Sequence, residues 1–263
     1  MSTPQQPDLT PHELERYAWQ LDVPGHGPAQ QAALKNATVL ISRVGGLGGV
    51  VAFQLAAAGV GHLILAHGGD LKPSDLNRQI LMAHDDLATP RVLSAARTLQ
   101  RFNPSIRITP IPHNISPGNA DGLVQQADVV VDAAPLFEER FALNDAACRH
   151  RRPMVECAMF ELNAQITVLQ PPQTPCLRCL YPETPAHWKR RFPVFGAVSG
   201  TVGCIAAMET IKLITRIAEP LLSRLLLIDL RSTRFQTIRI KPRPDCPLCA
   251  SLTAPASHSP GSH

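Results

Sequence analysis

Aromatic side chains are scarce in this sequence, at 5% of its residues. A base-stacking surface for single-stranded nucleic acid needs repeated rings, so the shortage argues against one. The net charge of +4 is too mildly basic to mark a nucleic-acid binder. No apolar run reads as a membrane span. The longest candidate, Val39–Leu65, carries an arginine and a glycine cluster. The N-terminus is polar and proline-bearing, unlike a secretory leader, so the expected compartment is the cytoplasm. There the seven cysteines are expected as metal ligands and core thiols rather than disulfides. A Walker A motif and a serine in a nucleophile elbow are also missing.

What is present starts from that same stretch. Val39–Ser42 reads as a short buried strand and His62–Ala66 as a second, with an Ala-rich helix between them. Gly45, Gly46, Gly48 and Gly49 make the turn into the helix, and Gly59 and Gly61 mark its end. Two parallel strands around one helix form a βαβ unit. Its glycine turn suits phosphate: bare N–H groups and the helix N-terminus face the anion. The usual fingerprint is G-x-G-x-x-G, with an acidic residue roughly 20 positions on for the ribose. Here the frame is Arg43-Val44-Gly45-Gly46-Leu47-Gly48, and the second strand ends Ala66-His67-Gly68-Gly69. An arginine replaces the first glycine, and the ribose carboxylate is missing.

Along the rest of the chain, residues 1–11 read as flexible, and His12–Leu34 as helical pieces broken at Pro24–Pro28. Asp70–Ala88 reads as loop. Thr89–Phe102 reads as a helix, with Thr89 as its cap and Pro90 in its first turn. Ile106–Ile111, Asp128–Asp132 and Pro153–Ala158 are expected strands, and Phe137–His150 a helix. Phe160–Gln170 is longer and more polar and is expected to leave the parallel sheet. Thr201–Ile217 reads as a helix, and Arg224–Leu230 with Arg234–Ile240 as a hairpin. Residues 251–263 read as a disordered tail. The fold class is α/β: a Rossmann-like, doubly wound, mostly parallel sheet with an antiparallel C-terminal extension. One domain spans 12–250, with a nucleotide-binding half at 36–158 and a zinc-pinned half at 159–250.

Cys176-Leu-Arg-Cys179 and Cys246-Pro-Leu-Cys249 are two C-x-x-C knuckles, which together supply the four thiolates of a structural zinc site. Four thiolates close the coordination shell, so the expected role is structural. A redox role is disfavoured because neither pair opens a helix after a strand. Cys148, Cys157 and Cys204 fall on apolar patterns and read as core thiols.

These motifs add up to a resemblance. From Arg16 to Cys249 the chain resembles the MoeB/ThiF family, the bacterial relatives of ubiquitin-activating enzymes. The resemblance is carried by Arg16-Tyr17-x-x-Gln20, Gly45-Gly46-Leu47-Gly48, Ala57-Ala58-Gly59-Val60-Gly61 and Leu76-Asn77-Arg78-Gln79. Phe102-Asn103-Pro104, Gln165-Ile166-Thr167-Val168, Ala207–Lys212 and both knuckles continue it in order. It implies a homodimer with structural zinc that binds ATP and Mg²⁺. The implied reaction adenylates the C-terminal glycine of a ubiquitin-like sulfur carrier ending in Gly-Gly. Arg78, Arg91 and Asp132 are the implied catalytic positions. Gly45, Gly46, Gly48, His67 and Gln79 are the implied nucleotide-binding ones.

The departures fall on the chemistry. Trp19 stands where the family has its finger arginine, His67 where it has the ribose aspartate, and Pro135 where it has the Mg²⁺ aspartate. Asp75 replaces an asparagine and Arg91 a lysine. Asp132, Glu138 or Glu139 would have to stand in for the lost metal ligand. The crossover-loop cysteine of many members falls near Lys189, within the basic run His187–Arg191. Two readings follow: an adenylyltransferase with a degraded ATP site, and a non-catalytic relative that binds a carrier or pairs with an active partner. An oxidoreductase on the same βαβ unit is a weaker third, against which the knuckles and the missing ribose acid count.

Overall fold

The computed structural model describes residues 9–186, 188 and 193–252. Residues 1–8 of the expected flexible start, His187 and Lys189–Arg191 of the basic run, and residues 253–263 of the expected tail lie outside the described residues. The strands are β1 (Thr38–Ser42), β2 (His62–Ala66), β3 (Arg107–Ile111), β4 (Val129–Asp132), β5 (Met154–Phe160), β6 (Asn163–Leu169), β7 (Arg224–Asp229) and β8 (Arg234–Arg239). The helices are α1 (Pro11–Arg16), α2 (Ala18–Leu21), α3 (Pro28–Asn36), α4 (Gly46–Ala58), α5 (Arg91–Phe102), α6 (Ala120–Val124), α7 (Phe137–Arg149), α8 (Leu177–Leu180) and α9 (Gly196–Thr215).

All eight strands form one sheet in the order β3-β2-β1-β4-β5-β6-β7-β8. Pairing is parallel from β3 through β5 and antiparallel from β5 through β8. The expected Rossmann-like sheet with an antiparallel extension is therefore present. Strand alternation splits the core in two: Val39 and Ile41 pack under α4, α5 and α9, while Leu40 packs under α6 and α7 on the other face. Strand order reverses between β1 and β4: β2 and β3 are added on one side of β1, and β4 and β5 on the other. Such a reversal leaves a crevice at the strands' carboxyl ends, because the helices that follow depart to opposite faces.

Several residues of the resemblance serve this architecture rather than chemistry. Gly59 ends α4 at φ +86°, and a Cβ there would stand 2.5 Å from the Tyr17 ring. Asn103 Nδ2 donates to the Tyr17 hydroxyl at 3.0 Å and to the Ala56 carbonyl at 2.8 Å. Gln20 and Gln31 both donate to the Ala58 carbonyl. Tyr17, Gln20, Gly59 and Asn103 thus tie the N-terminal helices to the end of α4. Glu209, on α9, accepts the Leu221 amide at 2.7 Å and holds the entry to β7.

Two expectations need correction. Thr89 does not cap α5: its hydroxyl donates to the Asp86 carbonyl at 2.6 Å, and Pro90 takes the cap position. A run apolar enough to span a membrane does exist, Gly196–Thr215, by length and composition alone. In the fold it is α9, one face of which packs against α4 and β5.

Gly203 is where α9 approaches α4. A Cβ there would lie 2.7 Å from the Val50 Cβ and 2.9 Å from the Leu47 carbonyl. Gly203→Val is expected to cost at least about 1–3 kcal/mol by overpacking. Chemical denaturation of the two proteins would measure the loss.

Candidate functional site

The crevice at the switch point opens into a cavity of about 880 Å³. Its inner end is built by the turn after β1 (Arg43, Gly45, Gly46), by His67 after β2, and by Ala133–Pro135 after β4. Asp75, Arg78, Gln79 and Arg91 close one side. The outer end runs along the hairpin, past Phe160, Asn163, Asp229 and Arg234. Of the positions read from sequence, Arg78, Arg91, Gly45, Gly46, His67 and Gln79 all line this space. Gly48 is buried one turn further into α4.

The cations arrive already partnered. Arg91 Nε and Nη2 donate to Asp75 Oδ2 at 3.1 and 2.7 Å, and Arg78 Nη2 reaches Asp75 Oδ1 at 3.5 Å. Burial opposes ionisation of Asp75, yet the hydrogen bonds from Arg91 and the Lys72 amide hold its carboxyl below the usual range. Arg43 adopts φ +66°, the left-handed conformation that glycine takes without strain. Its Nε donates to Glu139 Oε2 at 2.7 Å and its Nη2 to Glu139 Oε1, a two-point ion pair with α7.

His67 is 5% exposed, and burial pushes its pKa down to about 3, helped by the nearby charges of Arg43 and Arg91. The ring is therefore neutral. Among the described residues, neither His67 Nδ1 nor Gln79 Oε1 has a hydrogen-bond partner. Both residues flank Gly45: a Cβ there would lie 3.7 Å from Gln79 Nε2 and 3.8 Å from His67 Cε1. Buried polar atoms left unpaired in a cavity wall are costly and suit a ligand's hydroxyl or amine. This corner fits the sugar or base of a nucleoside.

Asp132 is placed otherwise than expected. It is fully buried at the end of β4, does not line the cavity, and accepts from Arg140 Nε at 2.9 Å. Arg140 Nη2 donates to Glu156 on β5, while Gln165 Nε2 donates to the same Glu156 oxygen at 3.0 Å. The Tyr181 hydroxyl donates to Gln165 Oε1 at 2.8 Å. Burial pushes both carboxyls upward against the pull of Arg140. This network was missed in the sequence, although a glutamate inside the apolar run Met154–Met159 was a signal of it. Glu138 is exposed and Glu139 is tied to Arg43. The carboxylates in the cavity wall, Asp75 and Asp229, are both engaged, Asp229 by the Arg231 amide and the Ser232 hydroxyl. This donor set does not fit a magnesium ion. Trp19 is 92% exposed on α2 and outside the cavity wall.

The second expected site is assembled. The Sγ atoms of Cys176, Cys179, Cys246 and Cys249 lie within 4.8 Å of one another, all buried. The Cys176–Cys179, Cys176–Cys246 and Cys179–Cys249 sulfurs lie 3.9, 3.6 and 3.2 Å apart, close to the ~3.8 Å edge of a tetrahedral zinc–thiolate site. The Arg243 amide donates to Cys179 Sγ at 3.4 Å. The four thiols thus fit a zinc ion, which would tie the C-terminal segment to α8. Cys148 packs beside them, and Cys157 is buried as expected, but Cys204 is exposed on α9.

Comparison with known proteins matches residues 17–248 to the ThiF family. The chain is 50% identical over 244 residues to the heterocyst HesA protein of Trichormus variabilis, spanning 93% of this chain and 91% of that one. It is 34% identical over 249 residues to the sulfur carrier protein adenylyltransferase of Thermus thermophilus, spanning 91% and 92%. The solved structure of Escherichia coli MccB with ATP superposes with a TM-score of 0.76 at 24% identity, covering 86% of this chain and 70% of that one. That last likeness is one of fold.

Two outcomes are expected from this geometry. Cys246→Ser, or a strong chelator, should release the C-terminal segment and lower stability by several kcal/mol. Limited proteolysis after Leu180, with metal content measured alongside, checks it. His67 binds a proton more weakly when folded than at its ordinary 6.5. Its contribution to stability is therefore complete above that value and falls with pH towards about 3, by up to ~1.4 kcal/mol per pH unit. Denaturation midpoints from pH 7 to 4 should fall less steeply for His67→Gln than for the natural protein.

Proposed function

The chain belongs to the ThiF family, and from that membership we propose that it activates the C-terminal glycine of a ubiquitin-like sulfur carrier by adenylation. We place it in the cytoplasm as a zinc-stabilised homodimer. The observation that carries the reading is the cavity itself. Its inner end offers a glycine turn, three arginines and two unpaired neutral polar atoms, and its outer end opens along the hairpin. A nucleoside fits the His67–Gln79 corner, and an extended Gly-Gly tail is the kind of slender chain the outer end admits.

In the reaction, a carboxylate oxygen of the tail attacks the α-phosphorus of ATP. A bond to that phosphorus forms, the bond to the β-phosphate oxygen breaks, and pyrophosphate leaves with the electron pair. The product is an acyl-adenylate. Arg78 and Arg91 supply positive charge beside the phosphates, and the Gly45–Gly48 amides cradle them. Among the described residues, the carboxylates of the cavity wall, Asp75 and Asp229, are already engaged and give no ligand set for magnesium. Asp132 is assigned instead to holding Arg140, which forms part of the cavity floor.

A second reading is favoured by one specific observation: Arg43 and Arg91 are already bound by Glu139 and Asp75. A site so neutralised suits a protein that holds the carrier, or an active relative, without turning over ATP. The distinguishing measurement is exchange of labelled pyrophosphate into ATP. Exchange that requires a Gly-Gly-ending carrier, and drops roughly 100-fold or more in Arg91→Ala, is expected. Carrier binding with no exchange, indifferent to ATP, would establish the second reading.

A further inference from the structure

We propose that Arg43 and Glu139 form a charge latch across the switch-point crevice that sets how much phosphate charge the pocket accepts. The proposal deepens the nucleotide reading and rests on it. The pair joins the two elements between which the crevice opens: the turn leaving β1 and the first turn of α7, which follows β4. Both side chains are shielded, 11% and 5% exposed, so their charges act on neighbours with little screening. Arg43 lines the cavity and Glu139, its ion-pair partner, does not.

The backbone carries a cost for this arrangement. Arg43 sits at φ +66°, where an L side chain is strained by about 1–2 kcal/mol. A glycine would relieve the strain and leave an open phosphate turn. The arginine instead spends two of its N–H donors on Glu139. A phosphate at this turn meets a compensated cation rather than a free one. It must either share Arg43 with a carboxylate fixed in two-point geometry, or draw Arg43 away and leave Glu139 buried, unpaired and close to like charge. Both routes penalise ligands in proportion to their anionic charge. Neutral ligand groups, including those that suit His67 and Gln79, are untouched.

Simple plugging makes the opposite prediction for one variant, so the two accounts separate. If Arg43 merely filled space, Arg43→Gly would open the site and bind phosphate most tightly. As a latch, Arg43→Gly removes the cation and leaves the Glu139 carboxylate behind, so phosphate binds most weakly. Glu139→Gln frees the cation, so phosphate binds most tightly.

The experiment is calorimetry on the full-length, zinc-loaded chain with three probes: inorganic tripolyphosphate, ATP and adenosine. The proteins are the natural chain, Glu139→Gln, Arg43→Gly and the double variant. For tripolyphosphate and ATP, affinity is expected to rise roughly tenfold or more in Glu139→Gln and to fall by a similar factor in Arg43→Gly. The double variant should lie between them, and adenosine should bind all four alike. Tightest binding by Arg43→Gly, or equal tripolyphosphate binding by all four proteins, or none by any, overturns the latch. If tripolyphosphate follows the expected order while adenosine fails to bind and ATP binds no tighter than tripolyphosphate, the latch stands and the nucleotide reading falls. Arg43→Gly is compatible with its left-handed backbone, and Glu139→Gln preserves shape. A circular dichroism melt of each variant confirms folding before the titrations are compared.

Discussion

The pairing of the shielded arginines around the cavity with buried carboxylates is the constraint on which the centre of this molecule depends. Arg43 is held by Glu139, Arg91 by Asp75, and Arg140 by Asp132 and Glu156. Arg43–Glu139 joins the segments that follow β1 and β4, Arg91–Asp75 closes the segment after β2 on itself, and Arg140 ties α7 back to β4 and β5, so the pairs brace the carboxyl ends of the strands. Removing a single partner would strand a charge in a poorly screened interior, which is far more costly than the pair is favourable. The cavity wall is thus stiff and nearly neutral, although arginines are its most conspicuous residues.

That neutrality bears on how the site handles its ligands. A glycine turn at a helix N-terminus is built to receive phosphate through backbone amides. The amides remain here, but the side chains around them have been balanced by carboxylates. The proposed latch would favour groups recognised by shape and neutral hydrogen bonds at the His67–Gln79 corner. On that proposal, phosphate would be bound only as far as the ion pairs yield. The zinc-type cysteine cluster lies apart from this chemistry. It supports the outer cavity wall indirectly, since Tyr181, two residues beyond Cys179, hydrogen-bonds Gln165 in that wall.

Much of the fold was legible from sequence because its cause is local. Buried parallel strands leave continuous apolar runs, so β1, β2, β4 and β5 announce themselves, and Pro and Gly punctuate the helices between. The longer, more polar Phe160–Gln170 stretch signalled the strand that turns antiparallel. The two C-x-x-C knuckles were readable because tetrahedral thiolate coordination imposes a short spacing within each pair. Where local signals compete, reading was less secure. Thr89 has the chemistry of a helix cap, but the preceding turn engaged its hydroxyl first. Gly196–Thr215 has the composition of a membrane span in part because the face packed on α4 and the sheet needs the same apolar surface.

What sequence by itself determined is the scaffold and the family, and it singled out Arg43, His67, Asp75 and Pro135 as expected departures from the family pattern. What they do was decided by tertiary structure alone. Arg43 and Glu139 are far apart in the chain, as are Arg140 and Glu156, and no periodicity or spacing rule links them. An ion pair needs two side chains brought within a few ångströms, and only the reversal of strand order beside β1 brings the β1 turn and α7 to one crevice. The sealed position of Asp132 likewise follows from where α7 crosses the end of β4. Local propensity writes the elements, whereas charge compensation is a property of the assembled interior.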